Sequence, residues 1–165
     1  MSAQCVLPGM PYTTREFKLM CVRECAVEFG QLDNAEKAYQ FWQANVPSAP
    51  WYLEEREIMI AITVNIRRRV TGFSLQGIGT LEEISLHPRD IFRMAVVQNA
   101  SALVLIHSHP SGDCTPSEAD IRTTLNLISA GQLLKIEVLD HVVVGAAGTN
   151  GQKAWFSLRE AGYFN

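Results

Sequence analysis

The chain has 165 residues, 47% of them hydrophobic and 19% charged, with 14 Lys+Arg against 17 Asp+Glu and a net charge of −3. That length fits one domain with at most a short appendage, and the composition excludes a disordered chain, which needs low hydrophobicity and high net charge. The acidic balance counts against nucleic acid as the main partner, because phosphate contacts demand a basic excess. In chain order, a strand is expected over Phe17 to Val22. Asn34 caps a helix from Ala35 to about Ala44, ended by Pro47 and Pro50. Glu57 to Val64 is almost entirely apolar after its first residue and reads as a buried strand. A charged turn at Arg67-Arg68-Arg69 leads to a second strand over Val70 to Leu75, which Gly77 and Gly79 should break before a short strand over Leu81 to Leu86.

Pro88 and the apolar spacing of Ile91, Met94 and Ala95 predict a helix through about Asn99, with His87-Pro88 as its lead-in. Ala102 to Ile106 is a continuous apolar run ending in polar residues, as in a central strand. Ser117 starts a helix that should run to Ala130 and stop at Gly131. Val138 to Val144 and Ala154 to Leu158 read as strands, with Asn150-Gly151 as a hairpin turn between them. The alternation predicts an α/β (α+β) fold with helices packed on a mixed sheet. No apolar run approaches the ~20 residues of a membrane span, and no secretory signal is recognisable. Cys5, Cys21, Cys25 and Cys114 form no C-x-x-C pair, so reduced thiols in the cytoplasm are expected.

The chemistry gathers between Ile106 and Asp120, in Ile-His-Ser-His-Pro-Ser-Gly-Asp-Cys-Thr-Pro-Ser-Glu-Ala-Asp. His107 and His109 lie two apart at a strand end, so a continuing strand sends both imidazoles to one face. Asp120 sits one turn into the following helix, where its carboxylate can swing back toward them. Two histidines and one carboxylate leave a fourth tetrahedral position for water, as in catalytic zinc sites. Each piece also has a plainer explanation. Ser117-x-x-Asp120 resembles a capping box with Asp in place of Glu or Gln, and a lone H-x-H can be an adventitious pair. The conjunction of all four residues within fourteen positions favours the metal site.

The spacing H-x-H, seven residues, S-x-x-D resembles the JAMM (MPN+/JAB) metalloprotease motif, met here by His107, His109, Ser117 and Asp120. The longer string is similar to the RadC branch. So are Leu86-His87-Pro88-Arg89-Asp90-Ile91-Phe92, Ile136 to Gly145 with Asp140-His141, and Ser157-Leu158-Arg159-Glu160. The resemblance covers about residues 50–160. It implies a layered JAMM/MPN+ architecture related to that of the zinc deaminases. It also implies one zinc per chain held by His107, His109 and Asp120, and Ser117 donating to the oxyanion. An upstream glutamate would handle the proton of the zinc-bound water; Glu57 matches, with Glu54 and Glu55 as rivals. The implied activity is hydrolysis of a peptide or isopeptide bond in a peptide or protein, ubiquitin-like conjugates among them.

On this reading residues 1–49 form a β-α lead-in and residues 50–165 the RadC-like metalloprotease domain. The lead-in lacks the glycine-centred hairpins of a helix-hairpin-helix region, so inherited DNA binding is not expected. Rival readings are a RadC-type DNA-repair factor or metal-dependent phosphodiesterase, and a non-catalytic MPN binding module. The deaminase motifs H-x-E and P-C-x-x-C and the nucleotide-binding glycine motifs are absent. Ser108 stands where RadC proteins usually have Asn and should leave the ligands undisturbed. Cys114 reads as a bystander, and His141 as a core histidine in preference to a partner of the ligands.

Overall fold

The computed structural model describes residues 30–79, 87–146 and 153–164. The expected strands over Phe17 to Val22 and Leu81 to Leu86, and the Asn150-Gly151 turn, lie outside the described residues. The elements are α1 (Ala35–Asn45), β1 (Ile58–Val64), β2 (Val70–Ile78), α2 (Pro88–Val97), β3 (Ala102–Ser108), α3 (Glu118–Leu134), β4 (Glu137–Val144) and β5 (Trp155–Ser157). They build one mixed sheet in the order β2-β1-β3-β4-β5, in which only β3 and β4 run parallel.

Alternation along the strands sorts their side chains onto two faces. Ile58, Ile60, Ile62 and Val64 of β1 share one face with Val104 and Ile106 of β3, and α1 covers it with Phe41 and Trp42. Met59, Ala61, Leu103 and Leu105 take the opposite face, under Ile91 and Phe92 of α2 and Leu127 of α3. The result is a three-layer α+β fold, which explains why all seven residues of β1 are buried. Among the described residues no helix is long and apolar enough to cross a membrane.

Local chemistry sets most boundaries. The Asn34 side chain accepts from the Lys37 amide at 2.9 Å and starts α1. Asn65 accepts from the amides of Arg67 and Arg69, and Arg68 takes a left-handed φ of 60°, so the three arginines form the expected turn between β1 and β2.

Two glycines act differently from expectation. Strand β2 runs through Gly77, because the register shifts between Met59↔Gly77 and Ile60↔Leu75, and the bulge absorbs the irregularity without ending the strand. Helix α3 runs through Gly131 to Leu134 and is capped by Lys135 at φ 58°. Gly131 serves close packing instead of termination: a Cβ there would lie 2.5 Å from the Ile136 carbonyl oxygen and 3.2 Å from Phe92.

Candidate metal centre

The end of β3 and the start of α3 meet at the expected site. His107 is inside β3, and His109 lies just beyond it, with its amide donating to the Val144 carbonyl of β4 at 2.8 Å. The chain then turns through Gly112, at φ 83°, into Ser117 and α3. His107 Nε2 and His109 Nε2 come within 2.9 Å of each other. Asp120 reaches back with Oδ1 at 3.2 Å from His107 Nε2 and Oδ2 at 3.5 Å from His109 Nε2.

Hydrogen bonds on the far sides of the rings decide what these atoms offer. His109 Nδ1 donates to the Asp113 carbonyl at 2.7 Å, so the neutral ring carries its lone pair on Nε2. His107 Nδ1 faces His141 Nε2 at 2.8 Å, deep in the core. Tetrahedral bonds of ~2.0 Å hold donors about 3.3 Å apart, and the three separations here straddle that value. The donor set, two imidazoles and a carboxylate, therefore fits a borderline cation such as zinc with a position to spare. Among the described residues these are the His, Cys, Asp or Glu side chains grouped closely enough to hold a metal.

The electrostatics agree. Burial pushes the Asp120 carboxyl up, but His107, His109 and the Ser117 hydroxyl overcome it and hold the group far below the usual carboxylate range. Burial lowers the His109 pKa, whereas Asp120, the Asp113 carbonyl and the Glu57 charge raise it, and the raising side prevails. Complete burial drives His141 well below the ordinary histidine value, so it is neutral.

Ser117 is engaged as a cap. Its hydroxyl accepts from the Asp120 amide at 3.1 Å and donates to Asp120 Oδ2 at 2.6 Å, while its own amide donates to the same oxygen at 2.7 Å. The capping box is thus real, and its carboxylate is the one at the metal site.

Glu57 immediately precedes β1. Met59 pairs directly with His107, and continuing the β1 alternation back two residues would set Glu57 on the face of the imidazoles. Its pull on His109 fits that placement. Glu54 and Glu55 are exposed in the preceding loop. Ser108 points to the other face and accepts from the Ile58 amide at 3.2 Å, tying the residue after Glu57 to the strand that carries the histidines. Cys114 turns toward the Lys153 carbonyl, with Sγ at 3.7 Å, and lies outside the donor group.

Thr124 is the residue that sequence reasoning passed over. It lies one turn after Asp120, on the same face of α3, and its Oγ1 stands 2.6 Å from His141 Nδ1. The only sequence signal was that i, i+4 spacing from a candidate ligand.

A three-layer α+β domain with two imidazoles at a central strand end and a carboxylate on the next helix fits a JAB-type domain with one group of side chains that could hold a metal. Residues 32–163 match the family described as RadC-like JAB domain, and the chain belongs to that family. It is 39% identical over 132 residues to a UPF0758 protein of Thermotoga maritima, covering 80% of this chain and 54% of that one. A UPF0758 protein of Chlorobium phaeovibrioides is 35% identical over 130 residues, covering 79% and 53%. One from Desulforudis audaxviator is 43% identical over 91 residues, covering 55% and 40%. The chain thus spans about half the length of these relatives, whose name states no activity.

Proposed function

We propose that this protein is a zinc-dependent metallopeptidase or isopeptidase with one zinc per chain, acting on a peptide or protein, ubiquitin-like conjugates among the candidates. The observation that carries the reading is the convergence of His107 Nε2, His109 Nε2 and the Asp120 carboxylate, three groups able to act as metal ligands, within 3.5 Å of one another. Zinc, when bound, supplies a Lewis acid for the scissile carbonyl and brings the pKa of a water down to about 7.

The chain's own residues do the rest. Glu57, on the imidazole face, takes the proton of the attacking water on a carboxylate oxygen and returns it to the leaving amine. The Ser117 hydroxyl turns from Asp120 Oδ2 to donate to the carbonyl oxygen as negative charge develops there. The Ser117 amide keeps its grip on Oδ2 meanwhile. Four cysteines without a C-x-x-C pair support a reducing compartment, the cytoplasm.

The test is metal content first, then hydrolysis. Protein purified without chelator should hold about one zinc, and a folded His109→Ala variant should lose it. Glu57→Gln should keep the zinc and lose about 10²–10⁴-fold in hydrolysis of a peptide or isopeptide substrate that the wild type cleaves. Absence of zinc from the wild type, even after reconstitution, overturns the reading in favour of a non-catalytic binding module. Full activity in Glu57→Gln overturns the role of that residue.

A further inference from the structure

The side of His107 that faces away from the donor group opens onto a series of hydrogen bonds inside the core. Thr124 Oγ1 lies 2.7 Å from the Asp120 carbonyl oxygen, one turn earlier in α3. A carbonyl can only accept, so the single hydroxyl proton of Thr124 is spent there. Oγ1 must then accept at 2.6 Å from His141 Nδ1, which carries the one proton of this neutral, completely buried ring. His141 Nε2 is consequently bare and accepts at 2.8 Å from His107 Nδ1. Every bond in the series has one direction, dictated from the Asp120 carbonyl outward.

We infer that His141 and Thr124 are positioning residues that hold His107 with its proton on Nδ1 and its Nε2 lone pair aimed into the donor group. The inference rests on the metal-site reading and deepens it. Metal-bound histidines ordinarily give their second N–H to a carboxylate, a backbone carbonyl or water, as His109 does with Asp113. His107 gives it to another imidazole, which could accept or donate. The direction therefore has to come from elsewhere, and Thr124 supplies it by being committed to α3. The circuit starts and ends on Asp120, whose carbonyl sets the direction and whose carboxylate joins the donors, so it links β3, β4 and α3 around the site. His141 is held in turn by its own backbone: its amide donates to Asp140 Oδ1 at 2.7 Å, and Ser157 Oγ donates to Asp140 Oδ2 at 2.6 Å.

Removing the Thr124 hydroxyl while keeping its shape frees His141 to carry its proton on Nε2. His107 would then accept at Nδ1 and bear its proton on Nε2, in the space a metal needs. The test uses the metal-free full chain, labelled with ¹⁵N at the histidine rings, and zinc affinity by competition with a chelator at one fixed pH. In the wild type the ring spectra should show His107 and His141 both protonated on Nδ1, with His141 bare on Nε2. Thr124→Val should lose that signature and bind zinc about 10–100-fold more weakly, and Thr124→Ser should restore both. A purely structural role for Thr124 would change the melting of the metal-free protein without moving the proton on His107. A wild-type His107 bare on Nδ1, or a folded Thr124→Val that binds zinc like the wild type, overturns the inference. The assigned protonation in a wild type that takes up no zinc upholds the circuit and overturns the proposed function instead.

Discussion

Gly145 makes the sharpest prediction about how the site is held. It ends β4 where the loop carrying His109 and Asp113 passes, and a Cβ there would lie 2.2 Å from the Gly112 carbonyl oxygen and 2.9 Å from the Cys114 amide nitrogen. Both neighbours are backbone, so no side chain can swing aside. Reaching even 3.0 Å requires a displacement of about 0.8 Å, and the β4 end resists it, since Gly145 donates to Ala154 at 2.9 Å and Val144 pairs with Trp155. The loop must move. A shift of that size lengthens the 2.7 Å bond from His109 Nδ1 to the Asp113 carbonyl toward the limit of a hydrogen bond.

Gly145→Ala should therefore cost about 1–3 kcal/mol in the metal-free fold, as overpacking does. It should also lower zinc affinity about 10–100-fold, as loss of a ligand's outer hydrogen bond does. Chelator competition on the folded variant, with metal-free thermal melts beside it, reads both quantities. Zinc affinity within twofold of the wild type would refute the claim that this close backbone approach sets the His109 ring.

Gly131→Ala should lower the melting temperature, with a cost of about 1–3 kcal/mol from the clash with Ile136 and Phe92, although the same exchange inside an ordinary helix gains about 1 kcal/mol. A rise in melting temperature would show that α3 tolerates the methyl group. Zinc affinity should fall as pH falls: the His109 pKa lies above its ordinary 6.5, so protons compete for this ligand from above pH 6.5 downward, at about tenfold per pH unit. Affinity that stays flat between pH 7.5 and pH 5.5 (about two units) would remove His109 from the ligand set. Asn34→Ala should destabilise the protein by about 1 kcal/mol through the lost cap on α1, seen as a lower denaturation midpoint with unchanged zinc affinity.

The donor group was legible because it is local. His107, His109, Ser117 and Asp120 fall within fourteen residues, and strand alternation followed by one helical turn suffices to bring them together. Glu57 needed more, because its place depends on β1 pairing with β3 in the register Met59↔His107, fixed by side chains distant in sequence. The expected strand start at Glu57 nonetheless fell within one residue of β1. Gly77 and Gly131 misled because glycine marks a bulge or a close approach as readily as an ending. The circuit through His141 and Thr124 was out of reach for a different reason. It exists only because β4 crosses over to lie parallel to β3, with Leu105 opposite His141, while α3 packs above them.

The capping box at the start of α3 would also govern the denticity of Asp120 toward a bound metal. Two donors from Ser117, its amide at 2.7 Å and its hydroxyl at 2.6 Å, converge on Oδ2, whereas Oδ1 faces His107 without either of them. A chelating carboxylate would have to surrender the helix cap, at about 1 kcal/mol or more. The first turn of α3 would thus make Asp120 a one-oxygen ligand for a metal bound there and keep the coordination number low. Vacant coordination positions are what a site needs if solvent and substrate are to exchange through it.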